Sequence, residues 1–311
     1  MKVSVVIPCY NAETYIDGCL DSVVRQTWND IEILCVNDGS EDGTYNRLKQ
    51  YRGRNSDRIQ ILNQSNKGAG KARNTGLNKA KGRYIQFLDA DDRLMPGKIE
   101  NQLELISQAR QEPDIVAADY ILKTSVEEKI IRSYEKRPFH ALFCKNLGIT
   151  SANLWRRESV VNTGGFDENL GSSQEYELMF RLLKQGGKVL FDPVPLTYKT
   201  HREDGSISAT NKKENRLRFI NLQLSALEHL KESGQLNPEF EKYIYHKLFY
   251  EIRLLHEYDA EESCRLYRQY IPASFRLNRS SEISKKYVMV YDLLGYHGTQ
   301  KVYSMFNRFF R

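Results

Sequence analysis

Through residue 120, short apolar runs alternate with stretches of helical spacing. A β-branched run at 3–7 ends at Pro8. Ile16, Leu20, Val23 and Val24 then recur at helical intervals and predict a helix over 12–26. A second apolar run, 31–36, closes on the turn residues Asn37, Asp38, Gly39 and Ser40. The spacing predicts helices at 43–54 and 70–80, strands at 59–62 and 84–88, a helix over 96–110 with Pro96 in its first turn, and a fifth strand at 115–120. Continuous apolar strands alternating with helices imply a mostly parallel sheet, buried on both faces by helices.

Beyond residue 120 the pattern changes. Residues 121–133 alternate and predict an added hairpin or edge. Short strands are expected at 151–155 and 188–191, and a strong amphipathic helix at 175–185. From about residue 211 the pattern is mainly helical, rich in Tyr, Leu, Lys and Glu, so the expected boundary lies near 210. The expected organisation is an α/β domain over 1–210 and a helical C-terminal region over 211–311.

The chain has 311 residues, 40% hydrophobic and 28% charged, a globular composition. It has no apolar run long enough to span a bilayer, and the start carries no secretory-signal pattern. Five scattered cysteines without CxxC spacing point to reduced thiols in the cytoplasm rather than to zinc or disulfides. The net charge is +6, and residues 272–311 hold seven basic residues against two acidic ones. With the apolar and aromatic residues of 288–310, that end suits an anionic surface such as the inner face of a membrane. Packing on the catalytic domain or on a second subunit is the competing expectation. The basic end shows no nucleic-acid-reading motif.

In such sheets ligands bind beyond the carboxyl ends of the strands. Three polar clusters fall there: Pro8, Cys9, Tyr10 and Asn11; Asn37 to Ser40; and Asp89, Ala90, Asp91 and Asp92. Carboxylates at one strand end are hard oxygen ligands for Mg²⁺ or Mn²⁺, which also take substrate phosphates. Gly68 and Gly70 start no dinucleotide fingerprint, because Arg73 stands where the third Gly belongs. The turn and its basic residues still suit a phosphate at a helix start.

Six segments resemble family 2 of the nucleotide-sugar glycosyltransferases, with the GT-A fold: VSVVIPCYNAETYIDGCLDSVVRQT, ILCVNDGSEDGT, NKGAGKARNTGL, GRYIQFLDADD, GGFDENLGSSQEYELMFRLL and THREDGSIS. They run in the family's order from residue 3 to about 208. The resemblance implies a nucleotide-sugar subdomain over about 1–120 and an acceptor side over about 121–210. Pro8, Tyr10 and Asn11 would line the donor pocket, with Tyr10 against uracil. Asp38 would hydrogen-bond the nucleoside, and Arg73 would sit near the nucleotide. Asp89 would face the ribose or the metal and Ala90 the donor, Asp91 and His201 would bind Mn²⁺ or Mg²⁺, and Arg202 would contact the diphosphate. Asp92 would be structural or acceptor-facing. Where the family often has Glu-Asp, this chain has Gln174 and Glu175, which makes Glu175 the implied general base, with Glu177 as its competitor.

The implied reaction is inverting transfer from a UDP-sugar to a saccharide or lipid-linked saccharide, as in bacterial surface-glycan synthesis. Two other classes use comparable features. A nucleotidyltransferase would release pyrophosphate instead of UDP, and its N-terminal triphosphate loop is absent here. A catalytically silent nucleotide- or membrane-binding module would turn nothing over.

Overall fold

The computed structural model describes residues 1–54, 57–133, 137–201, 211–280 and 282–309, with side chains described to residue 305. The chain divides into two compact units, Met1–Ser206 and Ile207–Arg311.

The first unit is built on a seven-stranded sheet. Its strands are β1 (Val3–Cys9), β2 (Ile31–Asp38), β3 (Ile59–Gln64), β4 (Tyr84–Phe87), β6 (Ile115–Ala118), β9 (Leu154–Arg156) and β10 (Val189–Asp192), in the order β10-β6-β9-β4-β1-β2-β3. β9 runs antiparallel to β4 and β6, and the other pairings are parallel. β1 lies between β2 and β4, so the strand order reverses there and opens a crevice at the carboxyl ends.

Helices α1 (Ile16–Val24), α2 (Thr44–Arg54), α3 (Ala69–Lys79) and α4 (Lys98–Gln108) cross between the strands. Ile16, Cys19, Leu20 and Val23 of α1 join Val3, Val5 and Ile7 in the core. α3 lies close on the sheet: a Cβ at Gly76 would stand 2.3 Å from Val6 Cγ1, so only glycine fits that crossing. Short helices α5 (Pro138–Phe143) and α6 (Arg157–Asn162), unexpected from the sequence, precede α7 (Gln174–Lys184).

A second sheet has the order β5-β11-β7-β8, from β5 (Arg93–Leu94), β7 (Tyr120–Lys123), β8 (Glu128–Ile131) and β11 (Thr197–Thr200). β7 and β8 form the expected hairpin. The single strand expected over 115–120 is divided at Asp119. Its N–H donates to Asp192 O while its buried carboxylate accepts from Ser133 N–H, so the chain changes sheets there. The helix expected from Pro96 starts at Lys98, and the strand expected from Ser151 starts at Leu154.

The second unit contains α8 (Lys212–Glu232), α9 (Pro238–Leu255), α10 (Ala260–Tyr270) and α11 (Lys285–Phe309). Asn237 and Asp259 cap α9 and α10 by accepting from Phe240 N–H and Glu262 N–H. α11 breaks at Gly295, whose φ is 64°. Tyr287, Tyr291 and Tyr296 pack around Phe249, so these tyrosines serve the unit's own core. Met289, Leu293 and Met305 remain exposed. Among the described residues no helix is long and apolar enough to cross a membrane.

Candidate active site

β1, β2 and β4 deliver their following loops to one edge of the sheet. After β1, Asn11 adopts φ 44°, its N–H donates to Ser40 Oγ, and its Oδ1 accepts from Glu41 N–H. The loops after β1 and β2 are thereby joined. Pro8 ends inside β1, half-buried, while Tyr10 is 46% exposed and presents its ring to solvent. Asp38, at the end of β2, is buried and accepts from Lys67 N–H at 2.9 Å, Gly68 N–H at 2.8 Å and Gln64 Nε2 at 2.8 Å. It shapes the turn that starts α3, and a nucleoside would have to use its remaining acceptor capacity.

Beyond β4, carboxylate oxygens of Asp89, Asp91 and Asp92 lie within 4.8 Å of one another around the buried turn residue Ala90. Like charges so close need cations nearby. Arg73 Nη2 reaches Asp89 at 2.7 Å, and Lys199 Nζ reaches Asp89 at 3.2 Å and Asp92 at 3.4 Å. The β5–β11 pairing explains the lysine. Tyr198 stands opposite Arg93, so the next pair brings Lys199 to Asp92, and Thr200 N–H donates to Asp92 at 3.0 Å. Ser151 Oγ accepts from Asp89 N–H.

These neighbours divide the carboxylates. Burial would raise Asp89, but Arg73 and Lys199 hold it well below the usual carboxylate range. Burial pushes Asp92 up, Lys199 opposes it, and Asp89 and Asp91 add to the rise, leaving it at about 7. Burial works against the Lys199 ammonium, yet Asp89, Asp92 and Asp91 hold it above its ordinary range.

Arg73 also connects this cluster to α7. Its Nη1 donates to Gln174 Oε1 at 2.7 Å, and its guanidinium lies 5.2 Å from the Phe166 ring centre. Asn74 fixes the same loop, donating to Phe166 O and accepting from Phe166 N–H. Glu175 follows Gln174 in the first turn of α7, half-buried. Burial raises the Tyr120 hydroxyl, Lys199 opposes the rise, and the charges of Glu175 and Asp92 add to it. Glu177 is otherwise engaged. It pairs with Arg181 through both oxygens, at 2.5 and 2.6 Å, and Arg181 also donates to Thr163 O and Gly165 O.

This arrangement of a switch-point crevice, an acidic turn after β4 and a carboxylate-bearing helix agrees with comparison to known proteins. Residues 4–165, over half of the chain, match the profile of Glycosyl transferase family 2. The chain belongs to glycosyltransferase family 2. It is 30% identical over 258 residues to the minor teichoic acid biosynthesis protein GgaB of Bacillus subtilis, covering 78% of this chain and 28% of GgaB. The chain spans about a third of the length of GgaB, of the chondroitin synthase of Escherichia coli and of an uncharacterized glycosyltransferase of Rickettsia bellii. S. aureus TarS 1-349 in complex with UDP-GlcNAc superposes with a TM-score of 0.64 at 18% identity, over 98% of this chain and 92% of that one. The mannosyltransferase PcManGT of Pyrobaculum calidifontis, in complex with GDP-Man and Mn²⁺, gives 0.57 at 16%, over 98% and 83%. At these identities the likeness is one of fold, the GT-A fold.

Within this family 2 glycosyltransferase the hard carboxylate oxygens of the acidic turn fit a divalent cation. The His201 ring stands outside the carboxylate group. His201 is exposed, one residue past the Thr200 that bonds Asp92, and its backbone N–H donates to Lys123 O. Arg202 lies outside the described residues. The sequence reading missed Lys199, Ser151 and the positioning role of Asn74. Alternating Thr197, Lys199 and His201 could have marked a strand, but nothing local to Lys199 points to partners 107 and 110 residues away.

Proposed function

We propose that this glycosyltransferase moves a sugar from a UDP-sugar to a hydroxyl of a saccharide or lipid-linked saccharide, with inversion, in cytoplasmic synthesis of a surface glycan. The observation that supports the reading is the link from the acidic turn through Arg73 to Gln174, the residue before Glu175. The teichoic acid relative GgaB and the UDP-GlcNAc complex of TarS support the donor and product classes.

Asp91 and Asp89 would hold Mn²⁺ or Mg²⁺, with His201 as an added ligand. The cation supplies positive charge that makes the nucleoside diphosphate a better leaving group. Tyr10, Pro8 and Asn11 bound the nucleoside side of the crevice, and Asp38 holds the turn beneath it. Glu175 accepts the proton of the acceptor hydroxyl as that oxygen attacks the anomeric carbon. The carbon–oxygen bond to the diphosphate breaks on the opposite face, so an α-linked donor gives a β-linked product and UDP. Glu177, locked by Arg181, is a helix-anchoring residue in this reading.

A UDP-release screen over a panel of nucleotide sugars with Mn²⁺ or Mg²⁺, with and without sugar acceptors, tests it. Turnover of a UDP-sugar that requires Glu175 supports the reading. Release of pyrophosphate from a nucleoside triphosphate, or no turnover with any donor, overturns it.

A further inference from the structure

We propose that Lys199 is a built-in counter-cation of the acidic turn, whose charge makes divalent-cation binding depend on the donor's diphosphate. The inference rests on the reading that the aspartates hold a divalent cation for a nucleotide-sugar donor.

Among the described residues, Lys199 and Arg73 bring positive charge to this turn. Lys199 bridges Asp89 and Asp92 at 3.2 and 3.4 Å, and Arg73 holds the other oxygen of Asp89 at 2.7 Å. Asp89 and Asp92 therefore already lie against fixed positive charge, which reduces the negative charge available to attract a free divalent ion. Lys199 is fixed by secondary structure: its strand pairs with β5, and its neighbour Thr200 donates to Asp92 from the backbone. A diphosphate brings further negative charge and oxygen ligands, so cation and nucleotide each strengthen the other's binding. Without Lys199 the same three carboxylates would keep only Arg73 as a cationic neighbour among the contacts above. A divalent ion would then bind the protein alone, and the dependence on nucleotide would weaken.

The test measures Mn²⁺ affinity by electron paramagnetic resonance, with and without UDP, on the full chain. Lys199→Met removes the charge and keeps most of the stem. Lys199→Gln serves as a second neutral variant should the first fail to fold, and Lys199→Arg retains the charge. The expected result is a gain of tenfold or more in UDP-free Mn²⁺ affinity for the neutral variants, with a smaller enhancement by UDP. Lys199→Arg should keep the wild-type coupling, which a merely structural role would not separate from the neutral variants. Folded neutral variants with UDP-free affinity unchanged or weakened overturn the counter-cation role, while UDP-dependent Mn²⁺ binding by the wild type keeps the metal reading intact. A wild-type protein that binds no Mn²⁺ even with UDP overturns both.

Discussion

Arg73 and Gln174, 101 residues apart, meet through a buried 2.7 Å hydrogen bond. The other arm of the same guanidinium holds Asp89, so one side chain joins the acidic turn after β4 to the helix that bears Glu175. Gln174 also donates to Leu170 O, which anchors the glycine-rich approach to α7. Gln174→Ala should remove the link at a stability cost of about 1.5–3 kcal/mol, as for hydrogen bonds to charged groups. On the reading that Glu175 is the base, transfer should fall about tenfold, mainly in kcat, because the start of its helix loses its tie to the acidic turn. Steady-state kinetics beside a melting curve check this. A lower Tm with unchanged kcat would make the link purely structural.

The acidic turn gives the second expectation. Asp91→Asn keeps the shape of the side chain but removes a hard anionic ligand, so metal-dependent transfer should fall at least a hundredfold. Titration with a chelator gives the independent check: wild-type turnover should stop as the divalent ion is removed, and undiminished turnover would count against any metal.

Asp38 illustrates how a motif residue can be recognised before its work is understood. Its position at the end of β2 was evident from the turn sequence, but its three hydrogen bonds go to the chain at 64–68. Asp38→Ala should leave the N–H groups of Lys67 and Gly68 without their acceptor. A cost of at least about 1.5–3 kcal/mol is expected, together with weaker UDP binding. Calorimetry with UDP and thermal melting should show both losses, and a lower Tm with intact UDP affinity would restrict Asp38 to building the turn.

Lys98 supplies a pH dependence. It is buried in the first turn of α4 and hydrogen-bonded to Gln86, and burial pushes its ammonium down to about 7 while Asp192 opposes the fall. In the unfolded chain a lysine titrates near 10.4. Between these values the unfolded chain holds a proton that the folded chain has released. This group therefore makes stability rise with pH, by up to about 1.4 kcal/mol per unit, and its full cost is present below about 7. Lys98→Met removes that slope. Urea midpoints at pH 7 and 9 should rise more steeply for wild type than for the variant, and parallel profiles would refute the depressed ammonium.

The strands that build the site were legible for a physical reason. β1, β2 and β4 are buried on both faces, so each is a nearly continuous apolar run followed at once by polar residues. The acidic turn and the start of α7 could therefore be located. β5 and β11 could not. β5 has two residues, and β11 is Thr197, Tyr198, Lys199 and Thr200, a short strand of mixed polarity. Its contribution comes from pairing across more than a hundred residues, where periodicity carries no signal. Asp92 was expected to be structural or acceptor-facing, and its burial beneath Thr200 and Lys199 supports the structural role.

Glu175 and Glu177 sit one position apart from sharing a helix face, and their surroundings assign them different work. Arg181 takes both oxygens of Glu177 and is itself bound to the carbonyls of Thr163 and Gly165, so a proton taken up by Glu177 would cost it the charge that holds this pair. Glu175 has no such cationic clamp among the described residues, and its charge is felt by Tyr120, which also feels Asp92. Glu175→Gln keeps size and hydrogen-bonding reach but removes basicity. General-base assistance is worth about 10²–10⁴-fold, so transfer should fall by that order while UDP affinity stays near wild type. Glu177→Gln should instead lower Tm, because the half-buried pair with Arg181 is lost, and should leave most of kcat in place. Measuring kcat, UDP affinity and Tm for both variants separates the roles. If Glu175→Gln turns over at the wild-type rate and Glu177→Gln does not, the base is Glu177, and the Arg181 pair must open during each catalytic cycle.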